Sequence, residues 1–201
     1  MDKARLEAFS DGVFGFAITL LVLGIQVPSL KTVSEAELRT GLAQCLSQLV
    51  PYVTSFATIG IIWLNHHAMF HSVERVEHTT LSLNLLLLLV VTFIPYPTAV
   101  FSRYGALPSS TFLYGFVLML LGVAYSLLWI HISRRKLSRI PVDPWLGKVH
   151  IKRNLAGILA YAIAVGIAFR LPQISIFIYF ATAVFFFIPI RHQETGGQDQ
   201  T

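Results

Sequence analysis

Of the ten aspartate and glutamate residues, only Asp11 falls inside an apolar stretch long enough to cross a bilayer. A charge at the bilayer centre costs at least ~2.5–3.5 kcal/mol on insertion scales, so an intramembrane carboxylate marks function and requires a partner. Arg5 lies six residues earlier, which at ~100° per residue puts it on a different face of the same helix. The partner of Asp11 is therefore expected on a neighbouring helix. Trp63, Asn65, His66 and His67 close the second apolar stretch and Asn84 opens the third. An up-and-down topology puts all of them at the depth of Asp11. Such a layer is either an interfacial polar belt with no transport role or a brace that couples the first helix to pore opening. The His66-His67 pair offers no metal site, because adjacent helical residues diverge by ~100° and no thiolate or carboxylate cluster lies nearby. Ser10 and Asp11 lack an oxyanion hole or an activated nucleophile, so neither a catalytic centre nor a cofactor is expected.

The elements that must carry these residues follow from composition. The chain has 201 residues, 55% of them apolar and only 12% charged, and its mean hydropathy is +0.67. A soluble chain would carry roughly a quarter charged residues. Six apolar stretches are readable, each near the ~20 residues that cross a ~30 Å hydrocarbon core. They run from about Phe9 to Val27 (stopping at Pro28), Leu46 to Met69, Leu81 to Phe101, Thr111 to Ile132, Leu155 to Phe169 and Ile174 to Ile190. Pro95-Tyr96-Pro97 marks the end of the third, and Arg170-Leu171-Pro172-Gln173 forms a tight turn between the last two. The fold class is thus an all-α integral membrane protein with six transmembrane helices. Residues 1–190 form one transmembrane domain, and residues 191–201 are a polar tail expected to be disordered.

Eleven of the fifteen Lys and Arg residues lie on the side of the two termini and four on the other, which puts both termini in the cytoplasm. The pI near 9.6 reflects this topology signal rather than nucleic-acid binding. Cys45 is alone, so it forms no intrachain disulfide. The apolar stretch after Arg5 has no small-residue cleavage site and is not a cleavable signal peptide. Ala156, Ala160, Ala164 and Ala168 make a small-residue stripe suited to close helix packing, while the last three helices otherwise read as bland.

In the first helix, Phe16, Thr19, Leu20 and Leu23 share one stripe at i, i+3, i+4 and i+7. Alone, this is an ordinary packing face. Around a symmetry axis it would form stacked apolar rings with one hydroxyl layer, across the middle third of the bilayer.

Arg5-Leu6-Glu7-Ala8-Phe9-Ser10-Asp11 resembles the R-x-x-x-F-S-D signature of the transmembrane-protein-175 family of endosomal and lysosomal potassium channels, which has shorter bacterial relatives. The resemblance continues through Trp63, His66 and His67, then Asn84, a leucine run and Pro95-Tyr96-Pro97-Thr98. It covers residues 5–101, and beyond them helix count and loop lengths agree. It implies a homotetramer in the lipid bilayer, with the first helix of each subunit lining the pore. Phe16, Leu20 and Leu23 stand at the family's narrow positions and Thr19 at its proposed selectivity position. Arg5, Phe9, Ser10 and Asp11 carry the motif, whose Arg, Ser and Asp brace the cytoplasmic side of the pore against the second and third helices, where Trp63, His66, His67 and Asn84 sit. Phe16 departs from the family's usual Ile or Leu.

The expected function is a potassium-preferring channel with a hydrophobic constriction and permeant K+, located in the plasma membrane if bacterial, with no nucleic-acid or soluble partner. No arginine pattern resembles a voltage sensor. The competing readings are a proton-coupled secondary transporter or proton leak through Asp11 and the histidines, and a structural membrane protein.

Overall fold

The computed structural model describes residues 3–138 and 144–187, with backbone only at 144–148 and 150. It is all-helical. Helix α1 (Lys3–Leu20) ends in a 3-10 turn, Leu21–Gly24. It is followed by α2 (Glu35–Ser72), α3 (His78–Phe93), α4 (Pro95–Tyr104), α5 (Pro108–Arg134), α6 (Pro144–Ile167) and α7 (Pro172–Phe187). Since α3 and α4 make one apolar rod, His78–Tyr104, the helices amount to six rods. Four of the rods are long and apolar enough to span a membrane: Lys3–Gly24, Glu35–Ser72, His78–Tyr104 and Pro108–Arg134. The sixteen-residue α7 is shorter. The C-terminal part of the expected sixth span and the polar tail lie outside the described residues.

Contacts between rods set their directions. Lys3 Nζ donates to the His71 carbonyl, Trp63 Nε1 to Asp11, and the Gln26 amide to Gln48 Oε1. Each step forward along α1 is a step back along α2, so the two are antiparallel. Ser175 meets Ala164 and Arg153 meets Phe185 and Phe186, so α6 and α7 are antiparallel as well. Tyr114 meets Ser55, and Ser138 just past α5 meets Ser72, so α2 and α5 run parallel. The α2–α3 and α5–α6 connections are pinned together, with the Glu74 amide donating to the Leu137 carbonyl at 2.8 Å.

Three boundaries differ from those expected. Helix α2 begins at Glu35 rather than near Leu46, because Ser34 caps it by accepting from the Glu37 amide. Glu37 in turn accepts from the Lys31 and Thr32 amides and the Thr32 hydroxyl, fastening the preceding loop. At 38 residues α2 is about 57 Å long, far more than hydrophobicity alone indicates. The prolines at 95 and 97 do not end the third span. They restart it as α4, in first-turn positions where a missing N–H costs nothing. Finally, α6 starts at Pro144, before the apolar run.

One core lies among α1, α2, α3 and α5, around Leu6, Phe14, Ile59, Phe70, Leu87 and Leu128. A second, more aromatic core joins α4 to α7 through Phe101, Tyr114, Tyr161 and Tyr179. The alanine stripe packs only at one end: Ala164 and Ala168 are fully buried, while Ala156 and Ala160 border an open groove beside α7. Tyr179 crosses onto α5, where its hydroxyl donates to the Thr111 carbonyl at 3.2 Å and its ring fills the space a side chain at Gly115 would take. Gly115→Val should therefore cost about 1–3 kcal/mol through overpacking. Thermal unfolding in detergent checks this, with Gly166→Ala, where a methyl meets nothing, expected to lose no stability.

Candidate functional site: a buried brace and an open face on the first helix

Helix α1 has two unlike faces. Leu6, Ser10, Phe14, Ala17 and Leu21 recur at helical spacing and are buried against α2 and α3. On the opposite side Phe9, Gly12, Phe16, Thr19 and Leu23 are exposed, with Phe16 at 63% and Leu23 at 76%. Leu20 is half-buried beside them.

A directional chain of hydrogen bonds holds the buried face. Ser10 is fully buried, and its hydroxyl donates to the Leu6 carbonyl at 2.9 Å. Its oxygen can then only accept, and Asn84 Nδ2 donates to it at 3.0 Å. With the amide nitrogen so used, Asn84 Oδ1 faces His66 Nε2 at 2.7 Å, which fixes the proton on Nε2 as the donor. The His66 ring stacks on Phe70 and leans on Phe14. One layer above, Trp63 Nε1 donates to Asp11 Oδ1 at 2.8 Å. Asp11 is exposed apart from this bond. Its partner does come from a neighbouring helix.

The remaining sequence-derived residues fall outside this chain. Arg5 is exposed and has no polar partner among the described residues, and Phe9 is exposed one residue before Ser10. His67 is exposed with its ring 6.0 Å from that of Trp63. Asn65 faces away from α1, towards α5 and α6. Thr19 is exposed and donates to the Phe16 carbonyl at 2.8 Å, so its oxygen lone pairs stay free. Among the described residues no group of three or more His, Cys, Asp or Glu side chains could hold a metal.

Sequence reasoning missed a second chain of the same design. Thr98 donates to the Ile94 carbonyl, Ser55 therefore donates to Thr98 at 2.8 Å, and Tyr114 donates to Ser55 at 2.9 Å. This ties α2, α4 and α5 at a depth well removed from the first chain. Of the last three rods, α5 contributes Tyr114 to this chain. Thr98 belonged to a quoted motif, but nothing around Tyr114 distinguished it from other aromatics. Cys45, read only as a lone thiol, donates to the Gln26 carbonyl at 3.3 Å and helps seat the chain after α1.

Asn84→Leu strands the His66 Nε2 proton in a buried layer and removes the bond that Ser10 Oγ accepts, so it should destabilise the protein by about 1–3 kcal/mol. His67→Ala, which removes no hydrogen bond, should not. Paired melting curves in the same detergent read the difference.

Residues 5–95 match the family described as endosomal/lysosomal potassium channel TMEM175. A potassium channel of Streptomyces collinus is 39% identical over 177 residues, covering 84% of this chain and 83% of the relative. The crystal structure of a lysosomal potassium-selective channel TMEM175 homolog from Chamaesiphon minutus superposes with a TM-score of 0.81 at 33% identity, over 92% of this chain and 95% of that one. The mouse endosomal/lysosomal proton channel TMEM175 is 38% identical over 112 residues, which are 51% of this chain and 22% of the mouse protein. With residues 5–95 matched and full-length relatives sharing its sequence and architecture, this integral membrane protein belongs to the TMEM175 family.

Proposed function

We propose that the protein is a potassium-preferring cation channel whose subunits assemble as a homotetramer, with α1 of each lining the pore. The observation that carries this reading is the two-faced α1. Ser10 and Asp11 bond it to α2 and α3 on one side, while Phe16, Thr19 and Leu23 on the other lie uncovered within the chain. The potassium channels among its relatives support the same assignment. Residues 1–190 act as one channel domain, both termini face the cytoplasm by the eleven-to-four distribution of Lys and Arg, and the membrane is the plasma membrane in a bacterial source.

In this reading Phe16, Leu20 and Leu23 form a hydrophobic neck. Such a neck rejects ions by forcing them to shed water, and it gates by dewetting. Potassium holds its water less tightly than sodium, so the neck favours potassium. Thr19 adds oxygen ligands whose lone pairs are outward because its proton is committed to Phe16. The Ser10, Asp11, Trp63, His66 and Asn84 layer fixes the cytoplasmic part of α1, so that the neck residues meet at a common axis.

The second reading, proton-coupled transport through Asp11 and the histidines, draws on the mouse relative's name as a proton channel. The buried chain opposes it. It runs from His66 through Asn84 and Ser10 to a backbone carbonyl, which accepts a hydrogen bond but cannot pass a proton on.

Single-channel recording of the purified protein in planar bilayers tests the assignment: unitary potassium currents are expected, and slow, saturable, proton-coupled flux alone would overturn it. Leu20→Ala and Leu23→Ala should raise the current several-fold or weaken selectivity, while Val22→Ala should do little. Equal effects at all three positions would count against this face. Thr19→Val should lower the potassium-over-sodium permeability ratio, measured from reversal potentials under bi-ionic conditions.

A further inference from the structure

The 3-10 turn Leu21–Gly24, which carries Leu23, packs against α4. In such a turn residues three apart lie on one face, so Leu21 and Gly24 share a side and Leu23 points off it. Leu21 is accordingly buried, whereas Leu23 is exposed. The contact at Gly24 is with Ala99 on α4. A Cβ on Gly24 would lie 3.1 Å from the Ala99 Cβ and 3.3 Å from its Cα, where carbon atoms in ordinary contact keep about 3.5–4.0 Å. The Gly24 backbone is outside the left-handed region, so only this contact resists a side chain there. Two small residues thus let the turn and α4 approach closely.

Helix α4 is backed on both sides of Ala99. Pro95 and Pro97 have no N–H to give the Val91 and Phe93 carbonyls, so the ladder of α3 does not carry into α4, which takes its place from its own contacts. Thr98, next to Ala99, is buried and accepts from Ser55, which accepts from Tyr114. The Tyr114 ring also stacks on Phe101, with centroids 5.3 Å apart. The turn has no such backing on the side of Leu23, which is uncovered within the chain. A methyl added at Gly24 therefore moves the turn rather than α4, and carries Leu23 outward.

We propose that Ala99 is a backstop that sets, through Gly24, how far Leu23 reaches into the pore. This role rests on the channel reading: Gly24 and Ala99 are positioning residues that touch no ion and act through Leu23. An outward shift of Leu23 in every subunit narrows the neck and favours its dewetting.

Single-channel recording in planar bilayers, with potassium on both sides, tests this. Gly24→Ala should lower the unitary current several-fold, while Gly166→Ala, where a methyl meets nothing, should leave it unchanged. Adding Ala99→Gly to Gly24→Ala removes the 3.1 Å contact and should restore most of the current. In a Leu23→Ala protein Gly24→Ala should have no further effect, whereas a general loss of stability would act in either background. A Gly24→Ala current equal to that of the unmodified protein, or a loss that survives Ala99→Gly or Leu23→Ala, would overturn the proposal. If Gly24→Ala does not assemble, Ala99→Gly alone decides: the turn settles back on α4 and the current should rise, and an unchanged current is the overturning result. Absence of unitary current in the unmodified protein sinks the channel reading, and this role with it, before any variant is compared.

Discussion

The fully buried hydroxyl of Ser10 constrains the rest of the molecule. It has one proton and commits it to the Leu6 carbonyl one turn back. From that commitment the orientation of the Asn84 amide and the tautomer of His66 follow without further choice. Three helices are thereby registered against one another by groups that have no alternative partners in an apolar layer. A second chain, from Tyr114 through Ser55 and Thr98 to the Ile94 carbonyl, repeats the device. In both, a helix's own backbone carbonyl serves as the terminus, so each chain ends on an acceptor within the apolar layer, where water is not at hand.

The two chains divide the labour. The first holds α1, and the second joins α2 to the α4–α5 half, where the tyrosine cluster continues the connection to α6 and α7. Helix α2 belongs to both. Its length lets it meet α1 and the chain just past it, from Lys3 to Gln26, and also pack against α4 and α7.

Much of this was legible in the sequence, for identifiable reasons. Hydropathy locates helices because the bilayer penalises charge, and the isolated Asp11 announced that a neighbouring helix must answer it. Depth matching then brought Trp63, His66 and Asn84 to the right layer. It did not separate them from Asn65 and His67, whose faces depend on helix rotation that hydropathy does not encode. The α2 start was written in Ser34 and Glu37 but lay outside the apolar run. Pro95 and Pro97 were read as a stop because the same residue type that ends one helix also suits the first turn of the next. The tyrosine contacts were invisible, since partners such as Gly115 and Tyr179 are set by tertiary packing across 64 positions of chain.

The 3-10 turn at the end of α1 bears on this last point. A 3-10 helix advances about 2.0 Å and 120° per residue, against about 1.5 Å and 100° in an α-helix. Over Leu21–Gly24 the tighter winding displaces the chain by about 2 Å and turns it by about 80° relative to a continued α-helix. The direction of Leu23 is thus set by the pitch of four residues, whereas those of Phe16 and Thr19 are set by the brace around Ser10. Two positions of one stripe answer to different mechanical constraints: one to the hydrogen bonds around Ser10, the other to the torsion of a short screw held by Gln26 against Gln48.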